Sequence, residues 1–233
     1  MTFGVVVFPG SNCDEDTVYV LETVLKQRVI KLWHKNTDLQ DVNFIVIPGG
    51  FSYGDYLRSG AIAQFSPIME KVVKFAKKGG YVLGICNGFQ ILCEAGLLPG
   101  TLVKNKNNNF ICKNIYLKSQ HNATILTESI SSKEILKIPI AHAEGCYYTD
   151  EKTLQQIVSN KQILFKYCDQ NGEVNKIANP NGSLRNIAGI CNQNRNVFGM
   201  MPHPERACDN ELGNIDGRKI LENAILNLKN MGK

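Results

Sequence analysis

The 233-residue chain lacks long hydrophobic runs and C-x-x-C pairs. No apolar stretch approaches the roughly 20 residues that span a bilayer, and the N-terminus MTFGVVVFPG has no basic segment before its short apolar run. The eight cysteines are scattered, which argues against a zinc site and against a disulfide framework. These absences predict a soluble, cytoplasmic protein with free thiols, no metal site and no membrane contact.

Concentrated charge and linker-like segments are also missing. Lysine and arginine exceed aspartate and glutamate by 26 to 21, and the net charge of +5 is spread along the chain. The small clusters at 77–78 and 104–106 are too short to indicate nucleic-acid binding. With 43% hydrophobic residues and no Pro/Gly/Ser-rich linker, we expect a single domain over residues 1–233.

Apolar runs and amphipathic stretches alternate in the first hundred residues. Continuous apolar runs at 3–8 and 44–47 predict strands buried on both faces, and helical spacing is found at 13–26 and 68–76. Later strand candidates lie at 110–117, 123–126, 138–142, 162–169, 187–191 and 197–201, before a closing helix at 219–228. We therefore predict an α/β fold with an open, doubly wound, mostly parallel sheet, helices on both faces and an antiparallel, strand-rich extension.

A glycine-framed cysteine, Cys86, lies in YVLGICNGFQIL at 81–92. The pattern predicts a strand, a sharp turn and a helix, which is a nucleophile elbow with cysteine in place of serine. Gly84 and Gly88 allow neighbouring backbones to approach, and the N–H groups and dipole of a helix start favour an anion. Cys86 is the candidate nucleophile. The alternative is a small buried hydrophobe, our interpretation of the other seven cysteines.

A glycine-rich loop, PGGFSYGD at 48–55, follows the predicted strand at 44–47. Three glycines in six positions let backbone N–H groups turn toward an anion. Such a loop can supply half of an oxyanion hole, whose other donor is the N–H of the residue after the nucleophile. A plain turn is the alternative interpretation.

A cysteine nucleophile needs a proton acceptor. The chain has four histidines, His34, His121, His142 and His203. Only His203 has an obvious orienting group, because it lies in MPHPE at 201–205. A residue before proline is extended, and residues two apart in an extended chain point to the same side. Glu205 would therefore hold one imidazole nitrogen and leave the other for the thiol, although H-P-E is also compatible with a surface turn.

Seven segments, distributed from the first strand to the last, resemble the class I glutamine amidotransferases of the triad type. They are FPGSNCD at Phe8, PGGFSYGDYLRSGAIA at Pro48, GICNGFQIL at Gly84, FICKNIYL at Phe110, IPIAH at Ile138, NPNGSLRNIAGICN at Asn179 and GMMPHPER at Gly199. Within that family, the tyrosine and aspartate of the glycine loop and the NPNGS stretch are most similar to the glutaminase subunits of purine biosynthesis.

The resemblance implies roles for individual residues. Cys86 would attack the side-chain amide of glutamine and release ammonia, with His203 as general base and acid and Glu205 orienting it. The oxyanion would be held by the backbone N–H groups of Gly50 and Asn87. The substrate would be held by the side chains of Gln90 and Ser183.

The resemblance also implies partners. L-glutamine is the expected substrate, and the expected protein partners are a large ATP-dependent synthetase subunit and a small bridging subunit. ATP and Mg²⁺ would be used by the synthetase, with no cofactor in this chain. Three alternatives remain at this point: a glutaminase subunit of another pathway, another hydrolase with a cysteine elbow, and a non-catalytic regulatory module on the same fold.

One segment departs from the family's pattern. Residues 142–146 read H-A-E-G-C, where the family usually has H-G-E-G-R. The triad is unaffected, but without the arginine the resemblance does not assign this segment a role in docking or ammonia transfer.

Overall fold

A computed structural model describes residues 1–120 and 124–231, without the side chain of residue 231. Within these residues the elements are β1 (Thr2–Val7), α1 (Asp14–Tyr19), β2 (Arg28–Trp33), β3 (Phe44–Ile47), α2 (Pro67–Lys77), β4 (Tyr81–Ile85), α3 (Asn87–Glu94), β5 (Thr101–Val103), β6 (Ile111–Ser119), β7 (Ile135–His142), β8 (Cys146–Tyr148), α4 (Glu151–Ser159), β9 (Ile163–Cys168), β10 (Ile187–Cys191), β11 (Val197–Met200) and α5 (Asp216–Met231). A π-helical segment, Val20–Val24, continues α1. None of these helices is long and apolar enough to cross a membrane.

The chain forms two compact units. The first contains Met1–Thr101 and Cys191–Met201, and the second contains Leu102–Ile190 and Pro202–Lys233. Each unit is built from two separate stretches of sequence, which explains why no linker is visible in the composition. That residues 1–233 act as one domain stays a prediction.

The first unit is built on a five-stranded parallel sheet in the order β2-β1-β3-β4-β11. All four residues of β3 and all four of β11 are buried, because strands in the middle of a parallel sheet are covered on both faces. The continuous apolar runs of the sequence reflect this burial. The predicted parallel, doubly wound α/β architecture is confirmed here.

Strand order in this sheet locates the ligand-binding edge. The chain order reverses between β1 and β3, and in such sheets ligands bind outside the carboxyl ends of the strands at the reversal. The loops that follow β1 and β3 meet there, with a β-bridge between Ser11 and Gly50 and a hydrogen bond of 3.2 Å from the Phe51 N–H to the Gly10 carbonyl. The elbow that follows β4 lies at the same edge, because β4 is the parallel neighbour of β3.

The second unit contains antiparallel strands in the order β10-β9-β6-β7. The pairing of β6 with β7 extends from Ile111 opposite His142 to Lys118 opposite Ile135. Helix α5 is tied to this unit by the Asn223 and Asn227 side chains, which donate to backbone carbonyls at 126 and 125. The predicted antiparallel extension is therefore confirmed.

The sequence pattern did not predict several short elements correctly. The predicted strand at 123–126 is wrong for residues 124–126, which form a bend followed by a turn, and residue 123 lies outside the described residues. Strands β5 and β8, of three residues each, and helix α4 were not predicted. Helix α4 did carry a signal: the Asp150 side chain accepts from the Thr153 N–H as an N-cap, and Leu154 and Ile157 are buried one turn apart.

Candidate active site

The strand, sharp turn and helix predicted around Cys86 are present as β4 and α3. Cys86 has φ 50° and ψ −106°, a conformation that a residue with a Cβ rarely adopts and that costs of order 1–3 kcal/mol. Its N–H donates to the Met200 carbonyl at 2.8 Å, and its carbonyl accepts from the N–H groups of Phe89 and Gln90. Backbone bonds on both sides of the turn thus hold the strained residue, as in a nucleophile elbow.

The two glycines that frame Cys86 are required by close backbone contacts. A Cβ on Gly88 would lie 1.9 Å from the carbonyl oxygen of Ile47, and a Cβ on Gly84 would lie 2.5 Å from that of Gly88. Helix α3 therefore starts in direct contact with the end of β3. This contact brings the elbow against the loop that follows β3.

Most other cysteines are in environments that suppress thiolate formation. All eight are free thiols, and five of the other seven are buried. Burial raises the pKa of Cys168 and of Cys191 to about 11 and also raises the pKa of Cys93, so these thiols are protonated at neutral pH. The expectation of burial is wrong for Cys112, which is exposed, and for Cys146, which is half-buried.

The glycine-rich loop is a strained structure and not a plain turn. Gly50 has φ 124°, and Tyr53, Asp55 and Leu57 also have positive φ, which is costly for residues with a Cβ. The loop is held from the β1 side, since the Tyr53 N–H donates to the carbonyl of residue 9 at 2.6 Å. Strain of this kind persists only where surrounding contacts over-determine the backbone, as they do at functional sites.

Gln90 lies in the first turn of α3 and is 5% exposed. Its Oε1 accepts a hydrogen bond of 2.9 Å from the Asn87 amide. The structure therefore places this candidate substrate-binding side chain next to the elbow, and its role in holding the substrate stays a prediction.

The second unit contains the predicted histidine–glutamate pair. His203 Nδ1 lies 2.5 Å from Glu205 Oε1, and the two side chains are 1% and 0% exposed. A carboxylate accepts only, so Nδ1 carries the proton and the neutral tautomer has its lone pair on Nε2. The predicted contact is confirmed, and the catalytic roles of the two residues stay predictions.

The backbone reaches this contact by a different path from the predicted one. His203 has φ −100° and ψ 89°, which is not helical, but Glu205 lies in a short 3₁₀ helix, Pro204–Ala207. The expected alternation of an extended chain is therefore wrong for this pair. The tight 3₁₀ turn brings the carboxylate back to the ring, and the His203 N–H is anchored on the Pro139 carbonyl at 2.9 Å.

Two of the remaining histidines have partners that the sequence did not reveal. In the first unit, His34 Nδ1 lies 2.7 Å from the Tyr53 hydroxyl, which also lies 2.8 Å from Ser66 Oγ. In the second unit, His142 Nδ1 lies 3.0 Å from Asn105 Oδ1. The expectation that they lack an orienting group is wrong. His121 lies outside the described residues.

His142 is a neutral, buried histidine. Burial, with a smaller contribution from the charge of His203, lowers the pKa of His142 to about 4 from its ordinary value of 6.5. Asn105 Oδ1 also accepts from the Gly145 N–H at 3.1 Å, and a Cβ on Gly145 would lie 2.3 Å from the His142 ring. The glycine of the H-A-E-G-C segment is thus required by the buried ring.

We expect His142 to make the stability of the protein pH-dependent. Between about pH 6.5 and pH 4 the unfolded chain binds a proton on this residue that the folded chain excludes, so stability falls as the pH falls through this window. Within this window the free energy of unfolding falls by up to about 1.4 kcal/mol for each pH unit because of this residue. Urea unfolding of the wild type and of His142→Gln from pH 7 to pH 4 measures it. Equal pH slopes for both proteins would contradict the assignment, since the carboxylates titrate alike in both.

The NPNGS segment is an internal part of the second unit. The Asn181 amide donates to the Gly145 carbonyl at 2.7 Å, and Ser183 Oγ accepts from the Tyr147 N–H at 3.0 Å. Asn181 and Ser183 are 1% and 3% exposed. In this structure both side chains organise the segment after β7, and the substrate-binding role of Ser183 stays a prediction.

The candidate residues are divided between the units. Gly50, Cys86, Asn87 and Gln90 belong to the first, whereas Ser183, His203 and Glu205 belong to the second. In the first unit Asn87 and Gln90 lie in the helix that follows Cys86, and in the second unit His203 contacts Glu205. The joint action of the two groups is a prediction.

Comparison with known proteins covers nearly the whole chain. The family model of the CobB/CobQ-like glutamine amidotransferase domain matches residues 2–227. The "phosphoribosylformylglycinamidine synthase subunit PurQ" of Acaryochloris marina is 52% identical over 100% of this chain and 99% of its own, and that of Moorella thermoacetica is 55% identical over 97% and 95%. The fold is similar to a chain in the structure of PurLQS from Thermotoga maritima, with TM-score 0.86, 39% identity and coverage of 97% and 98%. The chain therefore belongs to the family of CobB/CobQ-like glutamine amidotransferase domains.

Proposed function

We propose that the chain is the glutaminase subunit of phosphoribosylformylglycinamidine synthase. It hydrolyses L-glutamine to glutamate and ammonia, and the ammonia is used by an ATP-dependent synthetase that converts formylglycinamide ribonucleotide to formylglycinamidine ribonucleotide in purine biosynthesis. The observation that carries the activity is the strained Cys86 elbow, with φ 50°, at the carboxyl edge of a parallel sheet. The pathway is supported by relatives of that name that match over at least 97% of this chain and 95% of their own length.

Acyl transfer begins at the Cys86 sulfur. On this proposal His203 takes the thiol proton, the thiolate attacks the amide carbon of the glutamine side chain, and the carbonyl oxygen becomes an oxyanion. Collapse of that intermediate breaks the C–N bond, and the proton from His203 goes to the amide nitrogen, which leaves as ammonia. Water, deprotonated by His203, then attacks the thioester. The C–S bond breaks, glutamate leaves, and His203 returns the proton to the Cys86 sulfur.

Backbone donors stabilise the oxyanion. Within the described residues, no hydrogen bond joins the backbone N–H of Gly50 or of Asn87 to a protein acceptor. Preorganised N–H donors aimed at a developing charge are each worth about 10²–10³-fold in rate. Gln90 and Ser183 complete the proposal as residues that hold the substrate.

The subunit works with other proteins on this proposal. Its partners are a large synthetase subunit, which uses ATP and Mg²⁺, and a small bridging subunit, in the cytoplasm. The chain itself needs no cofactor or metal, because every step above uses protein groups and water. Support comes from the relatives, which are named as subunits of a synthase.

A glutaminase assay with and without the synthetase subunit tests the proposal. We expect the complex to release ammonia from glutamine, without peptide cleavage, and to transfer it to the ribonucleotide substrate. Mass spectrometry after rapid acid quenching should find a glutamyl adduct on the peptide that contains Cys86. Ammonia release with an adduct on a different cysteine would reject the proposed nucleophile, and no ammonia release by the complex would reject the activity.

A further inference from the structure

The side chain of Asn87, directly after the candidate nucleophile, has its whole hydrogen-bonding capacity engaged. Its Oδ1 accepts from the Ser52 N–H at 3.1 Å and from Ser52 Oγ at 2.5 Å. Its Nδ2 donates to Asp55 Oδ1 at 3.2 Å and to Gln90 Oε1 at 2.9 Å. An amide side chain has two N–H donors and two acceptor positions, and all four are occupied. Asn87 is 2% exposed, so these bonds are made away from water.

The orientation of this amide is determined by its neighbours. The Ser52 backbone N–H can only donate, so it requires the oxygen of Asn87 on that side. An ionised Asp55 can only accept, so it requires the nitrogen on the other side. Ser52 and Asn87 are 35 residues apart in the chain. One side chain thus ties the start of α3 to the strained loop after β3.

The proposed oxyanion hole has two donors. One is the backbone N–H of Asn87, and the other belongs to the loop that the Asn87 side chain holds. Asn87 supplies one N–H itself. Gly50, which supplies the other, lies two residues before Ser52, in a loop with positive φ at four further positions, 53, 54, 55 and 57. A strained loop keeps its conformation only where contacts fix it. From the β1 side it is fixed by the N–H groups of Phe51 and Tyr53, and from the α3 side by Asn87.

We propose that the Asn87 side chain is a positioning residue that sets the separation of the two oxyanion donors by holding Ser52 and Asp55. This inference rests on the proposed glutaminase function. It assigns to the side chain of Asn87 a role separate from that of its backbone N–H. Replacement of this side chain leaves the nucleophile and both donor N–H groups in the chain. It removes the hydrogen bonds that fix the position of the two donors relative to each other.

Two variants test this role in the full chain assembled with the synthetase subunit. Asn87→Leu is close in volume and removes all four bonds, and we expect kcat for glutamine hydrolysis to fall about 10²–10³-fold, the effect of losing one oxyanion donor. Ser52→Ala removes only the hydroxyl bond and keeps the N–H bond, and we expect a fall of about 2–10-fold. For Ser52→Ala, which keeps the bond between Asn87 and Gln90, we expect KM to change by less than about 3-fold, since the oxyanion exists only after attack.

A second measurement distinguishes a loss of oxyanion-donor positioning from a general loss of folded structure. Iodoacetamide alkylates a thiolate by direct displacement and forms no oxyanion, so the alkylation rate of Cys86 reports the nucleophile and the fold around it. We expect this rate, followed by mass spectrometry of the Cys86 peptide, to be unchanged within about 3-fold in both variants. The matched control is Asn196→Leu, which removes a buried asparagine that bridges the carbonyls of residues 76 and 80 at 2.8 Å in the same unit. This control should lose stability and keep kcat.

The outcomes distinguish this inference from the proposed function. An active wild type with an unchanged kcat in Asn87→Leu overturns the positioning role alone. A parallel fall of kcat and of Cys86 alkylation, matched by Asn196→Leu, also overturns it, because it shows a structural role only. If Asn87→Leu does not fold, a Ser52→Ala variant with unchanged kcat still overturns it. A wild-type complex with no glutaminase activity rejects the proposed function and this inference together.

Discussion

Replacement of Cys86 by alanine is expected to abolish glutamine-dependent synthesis by the assembled complex. Without the thiol no thioester can form, and removal of the nucleophile from a catalytic triad lowers kcat on the order of 10⁶-fold. Synthesis from added ammonia should survive, because ammonia bypasses the acyl-transfer step. The measurement is the rate of ribonucleotide amidination with glutamine and with ammonium chloride as nitrogen sources.

The matched control for this experiment is Cys93→Ala in α3, the helix that follows Cys86. Cys93 is buried, and burial raises its pKa, so it contributes no thiolate at neutral pH. This variant should keep glutamine-dependent synthesis. Persistent glutaminase activity in Cys86→Ala would exclude Cys86 as the nucleophile. Loss of the ammonia-dependent reaction would instead show that the alanine disturbs the complex.

Replacement of Glu205 by glutamine is expected to lower kcat about 10²–10⁴-fold, in the range of amide substitutions at the third member of a triad. The carboxylate lies 2.5 Å from His203 Nδ1, and both side chains are almost fully buried. A buried charge stabilises the imidazolium that forms when His203 takes the thiol proton, and a neutral amide of the same shape does not. Steady-state kinetics with glutamine, normalised by thermal unfolding of each variant, measures the loss.

Glu211→Gln provides the control for Glu205→Gln, because it removes an exposed carboxylate from a nearby position in the chain. Its kcat should equal that of the wild type within about 2-fold, since surface substitutions rarely affect distant groups. A Glu205→Gln variant with kcat within about 3-fold of the wild type would contradict the orienting role. In that case the short His203–Glu205 contact would serve stability alone.

The sequence predicted those elements whose side chains are all buried or follow a regular alternation of buried and exposed positions. Strand β3 was predicted to the residue, because four consecutive apolar side chains mark a strand covered on both faces. The elbow was predicted because glycine at 84 and 88 serves a local geometric need, a close approach of backbones around Cys86. The three-residue strands β5 and β8 were missed, because a strand of three residues is too short to show an alternation of apolar and polar residues.

The site was less predictable than the fold, because its side chains are joined across large separations in sequence. Asn105 and His142 are 37 residues apart, and Asn181 and Gly145 are 36 apart. No local pattern encodes such a pair, since the spacing of residues along the chain does not specify which distant residue packing brings next to a polar side chain. The His203–Glu205 contact was predicted because its partners are two residues apart, although a 3₁₀ turn produces it and not an extended chain.

The sequence by itself determined the alternation of strands and helices, the position of Cys86 in an elbow and the pairing of His203 with Glu205, because each depends on neighbouring residues. The tertiary structure alone decided the strand order β2-β1-β3-β4-β11 and the partners of Asn87, His142 and Asn181. The physical reason is that buried polar groups must find hydrogen-bond partners wherever packing brings the chain together. Packing depends on which strands become neighbours, and local spacing does not specify that.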